Sequence, residues 1–281
     1  MKQDFSRAAA TYDEAAVLAR ETGRRMAERL EYVKLSPSRM ADIGCASGDG
    51  IRDLQQRYPA ALPLAVDFSS AMLQQVRHRV PLLQRLARRV PRLINADARS
   101  LPLAANSLGL VWSNLMLHWL DDPLPALREM HRVLEVDGLL MFAMLGPDTL
   151  MELRAACSDC GLEPPLRRFL DMHDIGDMLI AAGFADPVMD MEMLTLTYGS
   201  PRGLLRDQRH LGVRDALFGH LPWRDWRRVL STYAARRTKD GDVLLASFEI
   251  VYGHAWKPVP QRIDDGRAII QFEKRPRQAK P

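Results

Sequence analysis

The residues best placed to do chemistry are three acids in the first hundred positions: Asp42, Asp67 and Asp97. Asp42 opens the run Asp42-Ile43-Gly44-Cys45-Ala46-Ser47-Gly48, whose Gly44, Ala46 and Gly48 put little side chain between the backbone and a bound molecule. A small-residue bend directly after a strand lets peptide N–H and C=O groups approach a ligand closely. Asp67 follows at about 20 residues' distance, where a carboxylate can accept both hydroxyl protons of a ribose. Asp97 can accept from an exocyclic amine such as that of adenine. Acids are seldom buried unpaired, so three that close successive apolar segments argue for a ligand over a core role.

The elements that must position them follow from the apolar periodicity. Helical spacing runs from Asp13 to Glu31 and is broken by Ser36-Pro37-Ser38. Met40–Ile43, Leu62–Asp67, Arg92–Asp97, Leu108–Asn114 and Leu139–Leu145 then read as short strands, the last after an Asp137-Gly138 turn. Helices are expected at 51–57, at 71–79 with Ser69 or Ser70 as cap, and at 122–133. Strands alternating with helices imply a parallel sheet, and right-handed crossovers bring every strand's C-terminal end to one edge. Ligands bind at that edge, which is where the three acids and Ser113-Asn114 fall. Later elements are a helix at 174–182, a strand at 189–198, an Arg- and Trp-rich helical stretch at 202–237 and a strand at 243–252. Residues 268–272 have the composition of a further short strand.

Taken in order, Asp42–Gly48, Asp67-Phe68-Ser69, Asn95-Ala96-Asp97-Ala98 and Leu101-Pro102-Leu103 resemble the motifs of class I methyltransferases dependent on S-adenosylmethionine. The resemblance implies a Rossmann-like α/β fold, with a seven-stranded, mostly parallel sheet, helices on both faces and a helical lid. It implies that the loop of Asp42, Gly44, Ala46 and Gly48 holds the methionine part of the cofactor. Asp67 and Phe68 then take the ribose, Asp97 and Ala98 the adenine, and Ser113 and Asn114 complete the set. The full G-x-G-x-x-G of dinucleotide enzymes is absent, which counts against nicotinamide chemistry.

A narrower likeness covers roughly residues 4–257. Phe5–Tyr12, Trp112-Ser113-Asn114-Leu115 with Trp119, Gly146–Leu150 with Glu152-Leu153, and Ala246–Ile250 resemble the malonyl-acyl carrier protein O-methyltransferases of biotin synthesis. That likeness implies methylation of the free carboxylate of a malonyl thioester on an acidic carrier protein. Gly146–Arg154 and Leu117-His118-Trp119 also resemble mitochondrial complex I assembly factors of the arginine-hydroxylating type. A cofactor-binding assembly factor, or a methyltransferase of another small molecule or of RNA, therefore stays open as the alternative. The motifs of DNA amine and cytosine-C5 methyltransferases are missing after the fourth strand.

A malonyl carboxylate is already ionised near neutrality, so its methylation needs positioning more than a base. Candidates for that work are Tyr12, Arg154, Arg209 and His118, with Arg7 as a further carboxylate partner. Half-buried packing is an equally open role for Tyr12, whereas a His after a strand on an apolar segment, such as His118, is more often structural. Arg85, Arg88, Arg89, Arg224, Arg227 and Arg228 cluster in the sequence and are candidates for a face that steers an acidic carrier.

Composition is that of a globular chain: 281 residues, 47% hydrophobic and 26% charged, with a net charge of +4. One methyltransferase domain is expected over residues 1–258, with 1–30 as an N-terminal lid segment and 200–238 as a helical insertion over the active site. Residues 259–281 read as a charged, flexible tail. Three cysteines argue for a reducing compartment, and Cys157-x-x-Cys160 lacks the second pair that a zinc site requires. No metal is expected. With no apolar stretch behind the first charges and no long apolar run, a cytoplasmic protein without signal peptide or membrane contact is expected. Nucleic acid is not an expected partner, since only the basic balance speaks for it.

Overall fold

The computed structural model describes residues 2–80, 90–238 and 242–260. Three helices come first: α1 (Lys2–Ala8), α2 (Tyr12–Ala15) and α3 (Val17–Arg29). The single helix expected over 13–31 is therefore broken, at Ala16 (ψ 27°). The break lets α2 turn toward the sheet edge, where Asp13 is bound by Ser47 and Arg79.

Next comes the βα alternation that the pattern predicts. β1 (Arg39–Ile43), α4 (Asp49–Arg57), β2 (Leu62–Asp67), α5 (Ser70–Arg79), β3 (Arg92–Asn95), β4 (Leu108–Asn114), α6 (Leu124–Val133) and β5 (Leu134–Leu145) follow in turn. Ser69 caps α5 by accepting the N–H of Met72, as its hydroxyl chemistry predicts. β5 starts five residues before the expected Leu139, running through the Asp137-Gly138 position with a register shift opposite Leu108–Leu110. Asp137 takes a positive φ of 61° there.

The second half adds α7 (Met151–Asp159), α8 (Met172–Ala181), β6 (Ala185–Tyr198), α9 (Pro201–His210), α10 (Arg214–Leu217), α11 (Trp223–Ala234) and β7 (Leu244–Trp256). The sheet order is β3-β2-β1-β4-β5-β7-β6. β1 to β5 are parallel, and β7 runs antiparallel between β5 and β6.

Two apolar layers clamp the sheet. Met40, Ala65, Trp112 and Met141 pack on the α4 side, while Ile43, Val66, Val111 and Phe142 pack on the α6 side. This is the period-two alternation of strands buried on both faces. Each large side chain so buried contributes about 1.5–3 kcal/mol. No helix among the described residues is long and apolar enough to cross a membrane. The 268–272 segment, the tail from 261 on and Arg85, Arg88 and Arg89 lie outside the described residues.

Candidate active site

Strand order reverses between β1 and β4, because β2 and β3 extend one way and β5 the other. A crevice must open at their C-terminal ends. It is lined by Gly44 and Ala46 after β1, Asp67 and Phe68 after β2, Asp97 and Ala98 after β3, and Asn114 after β4. The bend after β1 holds its shape by backbone contacts: the N–H groups of Gly44 and Cys45 both donate to the Val66 carbonyl, at 2.8 and 3.1 Å. Gly44 has φ +79°, and a Cβ there would lie 2.4 Å from Met116 Cγ. Only glycine combines that conformation with that closeness.

Asp67 is the fixed anion of the crevice. One carboxylate oxygen accepts from Ala46 N at 3.0 Å and the other from Ser69 N at 2.7 Å. Burial raises its pKa, and these two N–H groups oppose that shift. Each oxygen keeps a further lone pair for hydroxyl donors. Asp97 also lines the crevice, but its carboxylate is held in a fork by the Arg99 guanidinium at 2.7–3.0 Å.

Four sequence candidates stand differently from expectation. Asp42 lies one residue before the strand end and does not line the crevice. It accepts from the backbone of Ile51 at the start of α4, and burial beside Asp67 pushes its pKa up to about 8. Gly48, at φ +92°, is the N-cap of α4 and is also off the crevice wall. Ser113 is buried and donates to the Ile43 carbonyl at 2.9 Å, tying β4 to β1. Asn114 does reach the crevice, yet its amide is occupied by α3: it donates to Ala19 O at 2.7 Å and accepts from Thr22 Oγ1 at 2.9 Å. A strand-end position reads alike in sequence whether its side chain turns to ligand or to helix.

The N-terminal helices cover the crevice. Phe5 packs against Phe68 and Tyr12, with ring centres 5.9 and 6.0 Å apart. Ser6 Oγ meets Ser69 Oγ at 2.9 Å. Asp13 accepts from Ser47 Oγ at 2.6 Å and pairs with Arg79, which also donates to Asp49 at 3.0 Å. Thr11 Oγ1 donates to the His210 carbonyl at 3.2 Å, joining the cover to α9.

A second chamber lies beside the crevice and shares Phe5, Tyr12, Leu115 and Trp119 with it. Its far wall is apolar, built from Leu18, Leu145, Leu196 and Phe248, with Gln208 and Tyr198 adding polar tips. Burial and the surrounding carboxylates push the Tyr12 hydroxyl pKa well above its ordinary value, so it stays protonated. His118 lines the chamber, and burial lowers its pKa to about 3. Among the described residues no Lys or Arg lines this chamber. Arg154 donates to the carbonyls of Thr149 and Arg167, at 3.1 and 2.9 Å. Arg209 and Arg7 are exposed and line an outer groove with His210 and Arg214. The structure thus brings Tyr12 and His118 together and leaves the three arginines outside.

Comparison with known proteins adds to this geometry. A methyltransferase domain model matches residues 41–142, the stretch that builds the crevice. The chain is 50% identical to a malonyl-acyl-carrier protein O-methyltransferase of Gallionella capsiferriformans, over 96% of this chain and 94% of that protein. The chain belongs to the malonyl-acyl-carrier protein O-methyltransferase family. A relative of the same description from Laribacter hongkongensis is 46% identical over 97% of this chain and 94% of its own. Among solved structures, the YcgJ protein from Bacillus subtilis superposes with a TM-score of 0.59 at 14% identity, covering 84% of this chain and 99% of that one. This methyltransferase therefore has the class I Rossmann-like fold, and its cofactor is S-adenosylmethionine.

Two motifs that carried the narrower resemblance prove to be partners of each other in this methyltransferase. Glu249 accepts from Asp148 N at 2.7 Å, and Glu152 accepts from Ser247 N at 3.0 Å and Ser247 Oγ at 2.5 Å. They lock the end of β5 to β7, and through Phe248 they set one wall of the chamber. Sequence reasoning missed Arg79, whose place in the α5 last turn gave no sign of a long-range partner. It also missed Arg167, which donates to the carbonyls of His118, Trp119 and Leu120 at 3.1–3.3 Å. Cys157 is buried, and Cys160 Sγ lies 3.4 Å from Thr232 Oγ1. Among the described residues no group of three or more His, Cys, Asp or Glu is arranged to hold a metal.

Proposed function

We propose that this methyltransferase esterifies the free carboxylate of a malonyl thioester carried on acyl carrier protein, in the cytoplasm, as a step of biotin synthesis. The observation that carries this reading is the pair of cavities joined at Phe5, Tyr12, Leu115 and Trp119. One is built for an adenosyl ligand, and the other is an apolar chamber next to it. The names of its relatives supply the malonyl carrier as acceptor.

When bound, S-adenosylmethionine supplies an electrophilic methyl group on a sulfonium. The bend at Gly44 and Ala46 would take the cofactor's amino-acid end, Asp67 would accept the ribose hydroxyls, and Asp97 and Ala98 would hold the adenine. In the chamber the walls shed water from the acceptor carboxylate, which sharpens its nucleophilicity. The chemistry the bound group would supply is transfer of its methyl to a carboxylate oxygen, the carbon–sulfur bond breaking with its electron pair left on sulfur. The walls around Phe5, Tyr12 and Trp119 would hold the acceptor beside it. No proton is transferred, so a protonated Tyr12 and a neutral His118 suit the reaction. Holding oxygen, carbon and sulfur in line supplies several kcal/mol of the rate.

The test is mass spectrometry of malonyl-carrier protein incubated with the enzyme and S-adenosylmethionine. One added methylene mass on the malonyl group is the expected result. An unmodified carrier under conditions where the enzyme binds S-adenosylhomocysteine would refute the acceptor.

A further inference from the structure

Among the described residues that line the acceptor chamber, one fully buried donor is without a partner. His118 stands on the short turn Leu117–Trp119 and is 4% exposed. Its Nδ1 accepts the N–H of Leu145 at 3.2 Å. That bond fixes the tautomer, because the nitrogen that accepts carries no proton, and the ring proton must sit on Nε2. Nε2 is fully buried and has no hydrogen-bond partner. A buried donor left unpaired is costly, and a bound ligand is one thing that relieves that cost. Trp119 and Phe169 pack against the imidazole, with ring centres 4.6 and 5.4 Å away, so its orientation is set before anything binds. Arg167, the neighbouring cation, is bound to the carbonyls of the turn and to Asp121.

Building on the carboxylate reading above, we propose that the His118 Nε2–H is the protein group that binds the acceptor's carboxylate, and that no arginine does so. The reaction itself favours this arrangement. The carboxylate gives up its negative charge as the oxygen–carbon bond forms, so a guanidinium fork would hold the starting state more tightly than the transition state. Binding of that kind slows the chemical step. A neutral donor orients the oxygen and loses less as the charge fades. The chamber then selects acceptors with one free carboxylate on an uncharged chain, since a second anion would meet apolar walls. The methyl ester, which can accept only a weaker bond from Nε2–H, leaves readily.

The experiment uses the full chain saturated with S-adenosylhomocysteine and titrated with a malonyl thioester, its methyl ester, or butyrate. The His118 Nε2–H signal is followed by nitrogen-edited NMR and acceptor affinity by calorimetry. The signal is expected to move downfield with either carboxylate and to move less with the ester. His118→Phe is expected to weaken carboxylate binding roughly 10- to 100-fold, the effect of losing a hydrogen bond to a charged group. His118→Gln, whose amide both accepts and donates, is expected to recover most of it. A merely structural role would instead lower S-adenosylhomocysteine affinity and melting temperature in His118→Phe and leave the parent signal still. A stationary signal at acceptor saturation, or parental carboxylate affinity in His118→Phe, overturns the inference. If butyrate moves the signal but malonyl carrier is never methylated, the substrate assignment falls and the role of His118 stands.

Discussion

Arg79 at the end of α5 grips Asp13 of α2, next to the crevice-lining Tyr12, and Ser47 of the β1–α4 bend donates to the same carboxylate. Both charged partners are about one-third exposed, at 32% and 33% of their side chains. Solvent therefore screens the pair, and its worth is near the upper end for surface pairs, about 1 kcal/mol. Arg79→Met is expected to weaken S-adenosylhomocysteine binding about fivefold by calorimetry, the equivalent of that energy. Amide exchange over residues 2–15 should speed up while the melting temperature falls by no more than about 2–4 °C. Unaltered exchange would mean that Phe5 and Tyr12 packing alone holds the cover down.

Gly44→Ala tests the bend. Its φ of +79° and the 2.4 Å approach of Met116 Cγ act together. The left-handed conformation alone costs an alanine about 1–2 kcal/mol. Cofactor affinity is expected to fall at least tenfold, and the Gly44→Ala/Met116→Ala double variant should regain only the part due to collision. Full recovery in the double variant would show that backbone conformation is immaterial there.

Asp67→Asn is predicted to be more damaging than its shape suggests. Both oxygens accept backbone N–H groups, so an amide nitrogen at either position faces a donor. Leaving one buried N–H unpaired costs about 1–3 kcal/mol of stability. Chemical unfolding should register that loss, together with weaker S-adenosylhomocysteine binding in calorimetry. A variant as stable and as avid as the parent would remove Asp67 from the ribose site.

Asp42 makes stability depend on pH. Its folded pKa of about 8 lies above the unfolded value of 3.8, so the folded state holds the proton more tightly. The stability it contributes is full below pH 4 and is lost progressively as pH rises toward 8. Asp42→Asn should flatten that decline in urea unfolding measured from pH 5 to 8. Equal slopes for parent and variant would place the titration elsewhere.

Arg154 and Arg209 should separate cleanly. Arg154→Met removes donors from two backbone carbonyls and is expected to lower the melting temperature, whereas Arg209→Met, at an exposed position, should not. Neither should change the affinity for a small malonyl thioester. A large loss of that affinity in Arg154→Met, at unchanged stability, would restore it as a carboxylate ligand.

The parallel half of the sheet and the acids at Asp67 and Asp97 were legible because strand period, helix caps and ligand spacing all repeat locally. What escaped was side-chain direction at the strand ends. Asp42 and Ser113 have the right position and residue type, but they turn under the loop toward α4 and β1. Arg154 shows the same limit: an arginine in a matching motif looks like an anion ligand until its carbonyl partners are seen. Arg79 and Arg167 act between segments tens of residues apart, a relation that no local pattern records. His118 was visible as a residue, but its free Nε2 depends on which backbone amide meets Nδ1.

The late strand β7 slots between β5 and β6, and it brings Phe248 to the chamber wall. A ribosome has therefore already released every residue that lines the cofactor crevice long before the acceptor side can be finished. Prematurely terminated chains ending before Leu244 keep the nucleoside-facing half of the sequence but have no closed room for a second substrate. For a reaction in which a loose sulfonium could alkylate bystanders, order of synthesis makes this late strand, the last among the described residues, the part that confines the target.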